Sequence, residues 1–90
     1  MEIEFDTAKR DITLAERGLD FADADKVFSG AVLTWPDTRK DYGEERFITL
    51  GKMDGRAVVI VWTPRGPVRR IISMRKANDR EIEQHESRLG

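Results

Sequence analysis

AVVIVWTPRGPVRRIISMRK, residues 57–76, is the stretch on which the fold turns. Its first part, AVVIVWT (57–63), is apolar at odd and even positions alike, as a strand covered on both faces must be, and Asp54-Gly55 ahead of it marks a tight hairpin. Residues 57–63 should therefore be the central, most buried strand. Pro64 and Pro67 bracket the turn PRGP (64–67), where neither has to donate a ladder hydrogen bond. The second part, VRRIISMRK (68–76), reads less cleanly. Strict alternation places Val68, Arg70, Ile72 and Met74 on one face and Arg69, Ile71, Ser73 and Arg75 on the other, so each face mixes arginine with apolar side chains. Burying a guanidinium without a partner is costly, and the pattern leaves open which face Arg70 takes.

Upstream of the hairpin, ERFITLG (45–51) alternates as a strand and AVLTW (31–35) as another, with the polar loop PDTRKDYG (36–43) between them. Before Ala31 the period is helical. In FDTAKRDITLAERG, Asp6 can cap a helix whose apolar positions are Phe5, Ala8, Ile12 and Ala15, and Gly18 is a left-handed stop. A shorter helix starts at Asp20, with Phe21, Ala24, Val27 and Phe28 on its apolar side and Ser29-Gly30 at its end. Asn78 followed by Glu81 resembles a capping box and predicts a last helix from about Asp79. The expected fold is α+β: two N-terminal helices, a four-stranded antiparallel sheet and a C-terminal helix, with the helices on one face and the other face open.

Ninety residues, 39% hydrophobic and 37% charged, fit one domain spanning 1–90 with a single core. Cysteine is absent, so neither disulfides nor thiolate metal sites hold the fold, and a reducing cytoplasm suits the chain. No apolar run approaches the roughly 20 residues of a membrane span, and MEIEFDTAKR begins acidic where a secretory signal is basic and then apolar. The expectation is a soluble, cytoplasmic protein. The net charge of −1 conceals a segregation: residues 55–80 carry 7 Lys/Arg against 1 Asp/Glu, whereas residues 1–54 carry 8 against 13. Such a basic block is either an electrostatic footprint for phosphate or a strand pair with solvated basic edges that resist aggregation.

The single histidine, the lack of a clustered ligand set and the lack of a glycine-rich phosphate loop argue against a metal, a nucleotide cofactor or a Ser-His-Asp hydrolase. What remains is a set of cations: Lys9 in the first helix, Arg46 in the second strand, and Arg69, Arg70 and Arg75 in the fourth. Glu44, Glu45 and His85 are the groups near them in sequence that could handle a proton. Each has a plain scaffold reading as well: Lys9 as a solvated helix residue, Arg46 and Glu44 as an ion pair, Arg70 as half of a buried salt bridge, His85 as an exposed helix residue. Trp35 and Trp62 read most simply as core, and Trp35, at a strand end beside the polar loop, is also placed to stack on a base.

Three stretches stand out together in this order: FDTAKRDITLAERGLDFADADKVF, Gly43-Glu44-Glu45-Arg46 with GEERFITLG, and Arg70-Ile71-Ile72-Ser73-Met74-Arg75 within RRIISMRKANDREIEQHE. By these the chain resembles the BrnT family, ribonuclease toxins of bacterial type II toxin–antitoxin pairs with a RelE-like fold. The family usually has Lys-His-Gly where this chain has Glu16-Arg17-Gly18, and often Asn at Thr13 and Tyr at His85. Arg17 keeps a positive charge there without a proton acceptor near neutral pH.

The resemblance implies an endoribonuclease that needs no metal or other cofactor and stops growth by blocking translation. Its catalytic residues would be Lys9, Glu44, Arg46, Arg70, Arg75 and His85, with Arg17 and Arg69 binding substrate. Attack of a 2′-hydroxyl on the adjacent phosphate needs a proton acceptor, for which His85, Glu44 and a lysine of lowered pKa all stand open, and cations for the growing phosphate charge. The implied partner is a BrnA-like antitoxin with a ribbon-helix-helix DNA-binding part, in a hetero-oligomer that touches operator DNA only through the antitoxin. A module that binds RNA or a partner without cleaving it, and a toxin of weakened activity, are the rival readings.

Overall fold

The computed structural model describes residues 2–89. A strand β1 (Glu2–Phe5) precedes helix α1 (Thr7–Arg17), a single 3-10 turn at Phe21–Asp23 and a short helix α2 (Ala24–Phe28). Strands β2 (Leu33–Pro36), β3 (Phe47–Met53), β4 (Arg56–Arg65) and β5 (Val68–Lys76) follow, and helix α3 (Asp79–Leu89) ends the described chain. The sheet has five strands in the order β1-β5-β4-β3-β2, antiparallel except that β1 runs parallel to β5. The expected four-stranded antiparallel sheet is thus corrected to a five-stranded mixed one. Phe5 belongs to the added strand, with Ile3 beside it on the core side, and not to the first helix.

Local chemistry sets the boundaries. Asp6 caps α1 by accepting from the Lys9 N–H at 3.1 Å, and Gly18 ends it at φ 68° with its own N–H on the Leu14 carbonyl. Asp54 and Gly55 both take positive φ, as a tight hairpin between right-twisted strands requires. Asn78 and Glu81 exchange backbone-to-side-chain bonds of 2.8 and 2.9 Å, so the capping box forms with Asn in place of Ser or Thr.

β4 is the middle strand, and its two faces are buried by different means. On the inner face, Val58, Ile60 and Trp62 pack with Leu19, Phe21, Ala24 and Val27 from the 3-10 turn, α2 and the segment before them. Gly51 of β3 lies on this face because a Cβ there would sit 2.7 Å from Val27 Cγ1 and 2.9 Å from Val32 Cγ1. Thr49, fully buried, accepts from the Trp62 indole N–H at 2.8 Å and shares a bond with the Thr34 hydroxyl, so no polar group of that layer is left unpaired among them. α1 contributes no buried residue, and its Ile12 is 56% exposed. It is held by polar ties: Arg10 forks onto Asp20 at 2.8 and 3.0 Å, and Arg17 donates to the Met74 carbonyl at 2.9 Å.

The outer face is not wholly open, which corrects a second expectation. Register places Leu50 opposite Val59 and Lys52 opposite Ala57 on that side, and α3 lies across this end, with Ile82 and Glu86 beside Lys52 and Ala57. Leu50 and Val59 are consequently buried. Covering two large apolar side chains is what draws the last helix onto the second face. Toward the other end, Ile48, Val61 and Ser73 stay half-exposed.

A β-bulge in β5 resolves the mixed pattern of 68–76. Val61 pairs with Ser73 but Trp62 pairs with Ile71, so Ile72 has no partner across the ladder. Side chains before the bulge therefore change face relative to strict alternation. Ile71 and Met74 both reach the inner core, while Arg70, Ser73 and Arg75 all reach the outer face. Arg70 thus leaves the face of Met74, while Arg69 stays on the inner face with Ile71 and Met74.

Candidate functional site

The outer face carries a groove. Its cavity, about 270 Å³, has Ile48, Val59, Val61 and Ser73 as floor, Trp35 and Arg39 on one wall, and Arg75 with Glu81 on the other. In the next row of the sheet, register sets Thr63 beside Arg70, and alternation carried one residue beyond β3 sets Arg46 on Thr63's other side. The bulge and the ladder thus bring Arg46, Arg70 and Arg75, named from sequence as separate cations, onto one face.

Each of them meets a carboxylate. Arg75 forks onto Glu81 at 2.8 and 2.9 Å, and that contact holds the Arg75 guanidinium above its ordinary pKa and the Glu81 carboxyl below its own. Glu81 is itself fixed by the capping box, so Arg75 is held by the start of α3. Arg46 donates to Glu44 at 3.1 Å and lies 4.1 Å from the Tyr42 ring centroid; Arg65 reaches the other Glu44 oxygen at 3.4 Å. Arg70 is 3.5 Å from Glu4 of β1.

Four of the predicted residues, His85, Arg69, Arg17 and Lys9, neither line the groove nor join that group of arginines. His85 is buried under α3, with Nε2 3.2 Å from the Ala31 carbonyl and Nδ1 without a partner. Arg69 is on the inner face, its guanidinium 4.0 Å from the Phe28 ring centroid and 5.1 Å from that of Trp62, and burial pushes its pKa down. Arg17 is engaged with the β5 carbonyl already described. Lys9 is exposed in the first turn of α1. Among the described residues no cluster of three or more His, Asp and Glu is arranged to hold a metal ion.

Arg39 was not singled out by sequence, where it sits in a polar loop. The loop is ordered by Asp37, whose side chain is wholly buried and accepts from Arg39 Nε and Nη2 at 2.8 Å each. The Asp37 backbone N–H also donates to the Arg46 carbonyl at 2.8 Å, tying the loop to β3. Chiefly through its bonds to Arg39, Asp37 is held at a pKa of about 2, below its ordinary 3.8. The folded-state pKa is depressed, so the stabilisation is complete above the unfolded value and is lost as pH falls from about 4 toward 2. Thermal unfolding of the wild type should therefore lose stability across that window more steeply than Asp37→Asn does; parallel curves would show that the pair contributes nothing.

A family model described as "Ribonuclease toxin, BrnT, of type II toxin-antitoxin system" matches residues 5–81 of this chain. No curated protein matches it.

Proposed function

The chain belongs to the BrnT family of type II toxin–antitoxin ribonucleases, and on that premise we propose that it cleaves RNA in the outer-face groove without a metal ion. The observation that carries the reading is the convergence of Arg46, Arg70 and Arg75 produced by the bulge at Ile72. A ribose 2′-oxygen attacks the adjacent phosphorus, the bond to the 5′-oxygen breaks, and the products are a 2′,3′-cyclic phosphate and a 5′-hydroxyl end. The charge that grows on the phosphate oxygens is met by the arginine forks. Glu44 takes the 2′-hydroxyl proton and solvent supplies the one the 5′-oxygen needs. Glu44 suits that task better than Glu81, because its oxygens are held more loosely, by Arg46 at 3.1 Å and Arg65 at 3.4 Å, whereas Arg75 holds those of Glu81 at 2.8 and 2.9 Å and the Asn78 N–H takes one of them as well.

This family implies an antitoxin partner. In the proposed reading the partner is a BrnA-like ribbon-helix-helix protein that covers the groove in a hetero-oligomer and alone touches operator DNA. The fold is RelE-like, a reading supported by the antiparallel run of four strands between α2 and α3, and the protein acts in the cytoplasm to stop translation. Purified protein should cleave RNA in the presence of a chelator, leave cyclic phosphate ends and stop when the antitoxin is added. Cleavage that vanishes in chelator and returns with a divalent cation would overturn the metal-free chemistry.

The carboxylates favour one second reading. With Glu4, Glu44 and Glu81 beside the three arginines, a phosphate has to compete for the forks, as in a toxin of weakened activity. A low single-turnover rate that rises in Glu81→Gln would support it.

A further inference from the structure

We infer that the cavity between Trp35 and Arg75 is a nucleotide subsite, in which a splayed base stacks on the Trp35 indole while Arg39 and Arg75 grip the phosphodiester beside it. The strand that enters is therefore single-stranded. This rests on the proposed RNA reading and adds to it a place for the base, which the three arginines alone do not provide.

The two tryptophans have different environments. Trp62 is a core residue, its N–H on Thr49 and its ring against Phe28 and Phe47. Trp35 pairs with Ile48 on edge strand β2, lines the groove and is only half-buried. A partly exposed indole beside an apolar floor of Ile48 and Val61 offers a stacking face that is indifferent to base identity. A base inside a duplex cannot reach such a face, whereas one in a single strand can.

The cations are equally specific in placement. Asp37 engages Arg39 through Nε and Nη2, Nη1 makes no hydrogen bond among the described residues, and the Arg39 side chain is 64% exposed. Arg39 and Arg75 line the same cavity, near enough that the charge of Arg39 works against that of Arg75. Both carboxylates in reach, Asp37 and Glu81, are already committed to one arginine each. Each guanidinium keeps N–H donors beyond those its carboxylate takes, and a phosphodiester between the two accepts from both. Asp37 is here a positioning residue for Arg39, not a group that touches RNA.

The test uses short 2′-O-methyl RNA, whose blocked 2′-oxygen prevents cleavage, as a single strand and as a duplex of the same sequence. Trp35→Leu should weaken single-strand binding roughly 5- to 100-fold and Trp35→Tyr should restore most of it. Arg39→Ala should reduce the slope of log affinity against log salt by about 1. In the wild-type protein, bound single strand should quench indole emission, a reading that needs no substitution. Unquenched emission at saturation, equal affinity for the duplex, or a folded Trp35→Leu that binds as the wild type does would overturn the subsite. Trp35-dependent binding without cleavage of ordinary RNA would sink the ribonuclease reading and leave the subsite standing. Cleavage with a KM indifferent to Trp35 would do the reverse.

Discussion

Arg70→Ala and Arg75→Ala are expected to slow single-turnover RNA cleavage roughly 100- to 1000-fold each, the loss seen when one positioned donor to a developing oxyanion is removed. Because that charge exists only in the transition state, the rate should fall more than substrate binding weakens. The fold should survive. Arg70 is on the outer face with 30% of its side chain exposed, and its ion partner Glu4 is 44% exposed at 3.5 Å, a pair of the kind that contributes about 0–1 kcal/mol. Arg75 is tied more firmly, so its removal also loosens Glu81 and the start of α3. Arg46→Ala should be less damaging than either. Lysine at position 75 should be nearly as harmful as alanine if the fork is used, and mild if only charge matters. Unfolding midpoints and cleavage rates measured on the same variants decide the point: an Arg70→Ala protein that unfolds well below the wild type would make that residue scaffold.

Where a single side chain or dipeptide dictates local geometry, the sequence was readable. Asp6, Gly18, Asp54-Gly55 and the Asn78–Glu81 pair all act as expected, and the unbroken apolar run of 57–63 is the middle strand. β1 was not legible, because four residues ahead of a capped helix give too short an alternation to stand against the helical spacing of Phe5, Ala8 and Ile12. The crossing of α3 to the second face depends on Leu50 and Val59 needing cover, a demand that exists only once the register between their strands is fixed.

The site divides along the same line. Arg46, Arg70 and Arg75 stood out as cations in strands, but their meeting on one face depends on a bulge that no glycine or proline announces. Arg39 depends on a buried carboxylate inside what reads as a polar loop, a signal available only as the spacing Asp37-x-Arg39. His85 looked exposed because its helix was read by its charges. In the structure its ring fills the space under α3 and reaches Ala31, a contact 54 positions away in sequence.

Deleting Ile72 separates the two things the bulge does. Without that residue Ile71 and Ser73 become neighbours, and their present partners Trp62 and Val61 are neighbours too, so the ladder becomes continuous. Every other side chain of β5 keeps its face: Ile71 and Met74 in the core, Arg70 and Arg75 on the outer face. The core should therefore form, and cooperative unfolding should persist. What changes is spacing, since Arg70 and Arg75 draw together by about one strand residue, roughly 3.3 Å, and the local twist relaxes. Misplacement of a catalytic group by as little as about 1 Å can cost a hundredfold in rate, so cleavage should fall about 100-fold or more in a protein that remains folded. The variant discriminates between a face that only has to be positive and a site that needs its arginines at a set separation. Full cleavage by the deletion variant would show that net charge on the outer face suffices. Loss of folding would instead assign the bulge to the packing of β5 against β4.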